Sequence, residues 1–238
     1  MMISSPIYLR RSMFLEFKKR VHEAIIDGAA IYKAVFIDYE YLLFSEKFKK
    51  KPYYIISAAE DNYAHLTGVN ALVTAQEFYN SSIKRELLET NFDFLSEHRS
   101  EKEVIGSVRR KIQSLPMLAT FFTSILQAEE DFAKGSIHCS LATADNTLTI
   151  GFIDSTVLRP KTLLKKNELN PQKAVDVTLI LKRSRGAEKF DTVIQGDIAK
   201  FTKLHPDIFA KVCAAEDSID DTVADASEDT LMDCDVSV

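Results

Sequence analysis

The amino-acid sequence predicts an α+β fold: helices packed on an antiparallel sheet of about four strands, with an N-terminal helix and a β-hairpin in front. Three observations predict it. Apolar residues recur at spacings of three and four through most of the first half. From Ser136 onward the rhythm changes to period two. Between the first helical stretch and the second lies a run of aromatic and β-branched residues, broken by a basic turn.

Residues 13–30 set Phe14, Phe17, Val21, Ile25 and Ala29 on one stripe, with Lys18, Lys19 and Glu23 between them, which predicts an amphipathic helix. From Ile31 to Phe44 the composition turns to strand formers, "EKFKKKP" supplies a basic turn, and "YYIIS" predicts a second strand. Leu72, Ala75, Phe78, Tyr79, Ile83 and Leu87 mark a second helical face. Val104, Val108, Ile112 and Leu115 mark a third, until Pro116 removes a backbone donor. In "MLATFFTSILQAEEDF" apolar pairs repeat every four residues and predict one more helix.

The C-terminal half alternates. Ile137, Cys139 and Leu141 predict one strand and Leu148, Ile150 and Phe152 the next, joined by the hairpin turn "TADNT". Val175, Val177, Leu179 and Leu181, then "KFDTVIQ", predict two more. Ile198, Phe201, Leu204, Ile208, Phe209 and Val212 close the pattern as helix in two pieces, with Pro206 suited to the first position of the second.

These elements predict one domain over residues 1–215. Residues 216–238 form an acidic tail expected to be mobile, because Asp, Ser, Thr and Ala cannot bury enough apolar surface to offset the entropy of ordering. Nine acids and no Lys or Arg fall between 216 and 235. The net charge of −5 therefore conceals a body of about +4. Three cysteines at long spacings without a CxxC pair argue against a disulfide framework and point to a reducing cytosol. No secretory leader and no apolar stretch long enough to span a membrane is encoded. Seven glycines, no phosphate-loop or dinucleotide signature, and five histidines in five separate segments leave no metal site and no cofactor expected.

The succession "YYIISAAEDNYAHLTGV", "TAQEFYNSSIKREL", "NFDF", "VRRKIQSLPML", "LTIGFIDSTVLRPKTLL" and "VDVTLILKR" resembles the fourth phage-associated family of barnase/EndoU/colicin/RelE-like nucleases, over roughly residues 31 to 196. The resemblance implies a domain of phage or mobile-element proteins that cuts RNA without a metal. Its partners would then be RNA, tRNA and mRNA being the candidate classes, and a restraining element, either an inhibitory protein or the chain's own acidic tail. In such a reaction the 2′-hydroxyl attacks the adjacent phosphate. The protein must take one proton, give another and stabilise a doubly charged phosphorane.

Histidine suits the proton steps because its unperturbed pKa is about 6.5. His65 matches the family's HLxG position and is the first catalytic candidate; its structural alternative is a ring that merely ties a strand exit to the next helix. Thr162 takes the hydroxyl position of a Pro-x-Ser/Thr-Leu-Leu element, and Lys182, on the polar side of its strand, completes the expected catalytic set. Arg159, Lys161 and His138 are the expected phosphate and RNA contacts, with a solvated basic loop as the alternative for "RPKTLL". Lys182 and His138 are expected over one sheet face. A second acid-base group is not identified in the sequence. A non-catalytic RNA- or protein-binding module of the same fold therefore stands beside the nuclease reading.

Overall fold

The computed structural model describes residues 6–154 and 157–214, with side chains from 12 onward; the acidic segment 216–238 lies outside the described residues. Helix α1 (Pro6–Tyr32) runs straight into a π turn, Lys33–Ile37. The strand expected from Ile31 therefore begins only at β1 (Tyr39–Phe44). Ile25, Ala29, Tyr32 and Phe36 are all buried at helical spacing, so the aromatic residues beyond Ala30 extend the same face rather than starting a strand. The basic turn leads, as predicted, into β2 (Tyr53–Ile56).

Next come α2 (Asn62–Thr67), β3 (Asn70–Ala71) and α3 (Ala75–Ile83). The helix expected over 72–87 is trimmed because the Thr74 hydroxyl caps it, accepting from the Glu77 amide at 3.2 Å, and Leu72 stays exposed. A 3-10 turn (Glu89–Asn91) precedes β4 (Phe92–Asp93), which pairs with β3. Helix α4 (Glu101–Ser114) starts from a reciprocal cap between Ser100 and Glu103.

The helix expected over "MLATFFTSILQAEEDF" does not form. Residues Leu115–Thr123 are a 3-10 segment and Gln127–Lys134 are strand β5. Pairing overrides local spacing here: β5 matches β6 (Ile137–Ala144) from Gln127 opposite Ala144 to Lys134 opposite Ile137. The acids that look solvent-facing on a helix have partners as a strand. Glu129 accepts the Asn170 amide at 2.7 Å, and Glu130 accepts the amides of Lys49 and Lys50 at 2.8 and 3.0 Å.

The remaining elements are β7 (Leu148–Ile153), β8 (Arg159–Lys165), β9 (Val175–Asp176), β10 (Leu179–Ser184), β11 (Thr192–Gln195), α5 (Ile198–Leu204) and α6 (Pro206–Val212). Pro206 opens α6, as expected. "RPKTLL" is a strand rather than a basic loop.

The α+β class holds, with a four-stranded antiparallel sheet in the order β11-β10-β1-β2, beside a five-stranded sheet β8-β7-β6-β5-β9. The C-terminal strands are thus divided between two sheets instead of forming one. The two are linked at two places. Ile56 bridges Leu158 in parallel at one, and at the other the chain passes from β9, paired with β5, directly into β10, paired with β1. The principal core unites Leu43, Ile56, Ile150 and Leu163 with Ile25, Leu66 and Val108 of the helices. Two smaller clusters cover the opposite faces. Phe44, Leu181 and Val193 pack under α5 and α6, and Phe132, Cys139 and Leu164 under the segment carrying Leu169. Among the described residues no helix is long and apolar enough to cross a membrane.

Candidate functional site

Helix α2 ends one residue before Gly68, whose φ of +77° closes the helix with its amide on the Ala64 carbonyl at 3.3 Å. Tyr63, Ala64, Leu66 and Thr67 face inward, so His65 points outward and is exposed. This placement follows from the sequence: flanking apolar residues take the core face of a short helix and leave the histidine on the other.

Across from it, α4 buries Val104 and Val108 and turns a basic face outward. Lys111 leaves that helix, passes over Gly68 and donates from its ammonium to the His65 carbonyl at 2.5 Å. A Cβ at position 68 would stand 2.6 Å from Lys111 Cδ, so the glycine supplies both the backbone angle and the room for the lysine stem. Surrounding protein desolvates the half-buried Lys111, and with Arg99 nearby its ammonium is lowered to about 8.

Lys111 lines a cleft of about 1070 Å³ between α4, the β5–β6 turn and β8. Arg99, Lys102, Arg110, Lys134 and Lys165 line it as well, against Glu103 and Glu168. Glu168 is engaged by Lys134, and Glu103 by its own cap. The cap hydrogen bonds from Ser100 hold the Glu103 carboxyl below its usual range. The free charge of the cleft is therefore positive. Arg99 is shared with a second cavity that runs past Gly68, Asn70 and His98. Such a track of guanidinium and ammonium groups beside an imidazole fits a phosphodiester backbone.

Residues 24–199 match the family model described as phage-Barnase-EndoU-ColicinE5/D-RelE like nuclease4. The chain belongs to this family of nucleases. No curated protein and no solved structure matches it.

The other expected site residues of this nuclease-family chain fall elsewhere. Thr162 is buried opposite Gly151, against Cys139, while its neighbour Leu163 joins the core that holds Ala64 and Leu66. Alternation along β8 therefore puts the Thr162 hydroxyl on the face away from α2, and it does not converge with His65. Lys161 and His138 do meet: the ammonium donates to the His138 carbonyl at 3.0 Å on the outer face of the five-stranded sheet. A register shift in β8 near this point turns Lys161 outward.

Lys182 lies in the other sheet, 4.5 Å over the Tyr39 ring, so it does not share a face with His138. Arg159, half-buried at the start of β8, has a buried Nε without a partner among the described residues. Lys111, Arg99 and Arg110 were not singled out from sequence, although "VRRKIQ" gives the signal: three successive cations on a helix whose other face is Val104 and Val108. Among the described residues no three His, Cys, Asp or Glu side chains gather as metal ligands.

Proposed function

We propose that this chain cleaves RNA by acid-base chemistry in the basic cleft, with His65 and Lys111 moving the protons and Arg99 and Arg110 holding the phosphate. His65 takes the proton of the 2′-hydroxyl as that oxygen bonds to phosphorus. Lys111 gives a proton to the 5′-oxygen as the phosphorus–oxygen bond to it breaks. The products are a 2′,3′-cyclic phosphate and a free 5′-hydroxyl. The observation that carries this reading is the Lys111 ammonium, lowered to about 8 and bonded to the backbone of the one exposed histidine in the HLxG motif. It supplies the second acid-base group that the sequence alone leaves unassigned. Lys161, His138, Arg159, Thr162 and Lys182 are outside this constellation and serve, at most, to bind RNA further along its length.

The substrate class is single-stranded or looped RNA, whose phosphates a groove of lysines and arginines follows without reading bases. A phage or mobile-element role in a reducing cytoplasm is consistent with the family's name and with two free buried cysteines, Cys139 and Cys213. The acidic segment 216–238 supplies a polyanion able to compete for the same groove and restrain the activity.

Purified full-length chain is incubated with RNA in the presence of a chelator. Cyclic-phosphate ends that vanish with His65→Ala support the reading. Tight RNA binding without any cut in wild type defeats it and leaves a binding module.

A further inference from the structure

Helix α1 reaches past the core that it helps to build. Phe17 is its first buried side chain among the described residues, and Met13, Phe14 and Leu15 just before it are 69%, 37% and 54% exposed. Successive helical residues point about 100° apart, so these three form an apolar collar around the helix rather than a stripe along one side. Lys18, Lys19 and Arg20 repeat the arrangement with cations five residues on, about 7.5 Å along the axis. The Lys18 ammonium lies 5.2 Å over the Phe92 ring, and the exposed Arg109 of α4 brings its guanidinium 5.3 Å over the Phe17 ring. None of these four cations pairs with a carboxylate among the described residues.

The collar restricts what can cover it. A flat partner, whether a folded surface or a lipid bilayer, meets one side of a helix and leaves the other apolar side chains in water. An extended chain segment can wrap it. Such a segment must set apolar residues close to acids, to match the collar and the cations beside it. Residues 228–235, "EDTLMDCD", do so: Leu231 and Met232 stand between Glu228 and Asp229 on one side and Asp233 and Asp235 on the other. Reach is no obstacle. Residues 215–238 span up to about 80 Å when extended, against about 45 Å across a domain of this size. The tether also holds the segment at an effective concentration of about a millimolar.

We infer that residues 228–235 dock on the exposed turns of α1, with Leu231 and Met232 against Met13, Phe14 and Leu15, and the flanking acids on Lys18, Lys19, Arg20 and Arg109. A polyanion drawn to the basic cleft by charge alone needs no apolar residue, whereas this contact needs both. It does not require that the chain cut RNA.

The test places a nitroxide on Cys234 of the full-length chain and reads the methionine methyl resonances. Cys139 and Cys213 are buried, and Cys234→Ser taken through the same labelling is the control. The Met13 methyl should be broadened, and Met117, in the 3-10 segment against the C-terminal end of α1, much less. Leu231→Asp with Met232→Asp should restore the Met13 signal to its intensity with the nitroxide reduced, and so should Lys19→Glu with Arg20→Glu. Raising the salt to about 0.5 M should weaken the broadening without abolishing it, because apolar contacts survive screening. Equal broadening of Met13 and Met117, or no broadening, overturns the inference. Broadening that persists in Leu231→Asp, Met232→Asp or vanishes completely in salt also overturns it, because charge alone would then hold the segment. Nitroxide-bearing chains that broaden Met13 of separate, unlabelled chains assign the collar to a second copy, and uptake of wild type by anionic lipid vesicles assigns it to a membrane; either result overturns it. RNA cleavage is measured on the same preparations. Cleavage without the Met13 contact defeats this inference alone, and the contact in a chain that cuts nothing defeats the proposed activity alone.

Discussion

The ammonium of Lys111 lies 2.5 Å from the carbonyl oxygen of His65, a contact between residues 46 positions apart that fixes the end of α2 against α4. The exposed imidazole is thereby held by its backbone rather than by its ring. Neither ring nitrogen makes a hydrogen bond among the described residues, and both are left for a substrate.

Replacing His65 separates chemistry from architecture. Because its side chain is exposed, His65→Ala should change unfolding free energy by no more than about 0.5 kcal/mol. RNA cleavage should fall by at least about a hundredfold. Denaturant melts and a gel assay of cut RNA check the two halves. A stability loss of several kcal/mol with cutting retained would assign the residue to the scaffold.

Lys111 should leave a mark on stability as a function of pH. In the unfolded chain a lysine keeps its proton to about pH 10.4, whereas here it is lost near 8. Between those values the unfolded state binds more protons, so unfolding free energy should rise from about pH 8 to 9.5. Above about pH 10 the buried Tyr32 and Tyr63, whose pKa values burial raises, reverse the trend. Urea melts across this range should show the rise in wild type and not in Lys111→Met. The same variant should lose about a hundredfold or more in cleavage, with the alkaline limb of the rate profile displaced.

Gly68→Ala tests the hinge between these two groups. With φ at +77° the substitution should cost about 1–2 kcal/mol of backbone strain. Contact with the lysine stem would also move the ammonium off the His65 carbonyl. Both thermal stability and cleavage should fall, while RNA affinity, set by the other cations of the cleft, should change little. Unaltered melting would mean the turn relaxes freely.

The phosphate track has its own signature. The double variant Arg99→Ala, Arg110→Ala should lower the slope of log affinity against log salt by about 2 without changing which RNA is preferred. Truncation after Ala215 should tighten binding at low salt if the acidic segment competes for the groove, and equal affinity would end that idea. Fluorescence anisotropy with labelled RNA reads both.

Much of this fold is legible in the residues, because α1, β6, β7 and α6 each carry a local cue that tertiary structure leaves alone. Val21, Ile25 and Ala29 keep one face, Ile137, Cys139 and Leu141 alternate, and Pro206 starts a helix. The stretch from Met117 to Phe132 misleads because apolar pairs every four residues suit a helix, and only the pairing partner, β6, makes Glu129 and Glu130 strand residues with bonded carboxylates. The site divides in the same way. The exposure of His65 follows from its neighbours, whereas the lowered ammonium of Lys111 exists only once α4 docks on the Gly68 turn. Thr162 shows the converse: with Leu163 assigned to the core, alternation already sends the hydroxyl to the other side.

The order of the strands along the chain also sets when the cleft can come into being. Glu40 and Arg183, 143 residues apart, pair across β1 and β10, so the four-stranded sheet gains its central partner only after most of the polypeptide has been synthesised. On the ribosome, His65 and Lys111 emerge early, but β8, the strand on which both α2 and α4 pack, arrives about fifty residues after Lys111. A nascent chain is therefore kept from the finished cleft by its own connectivity.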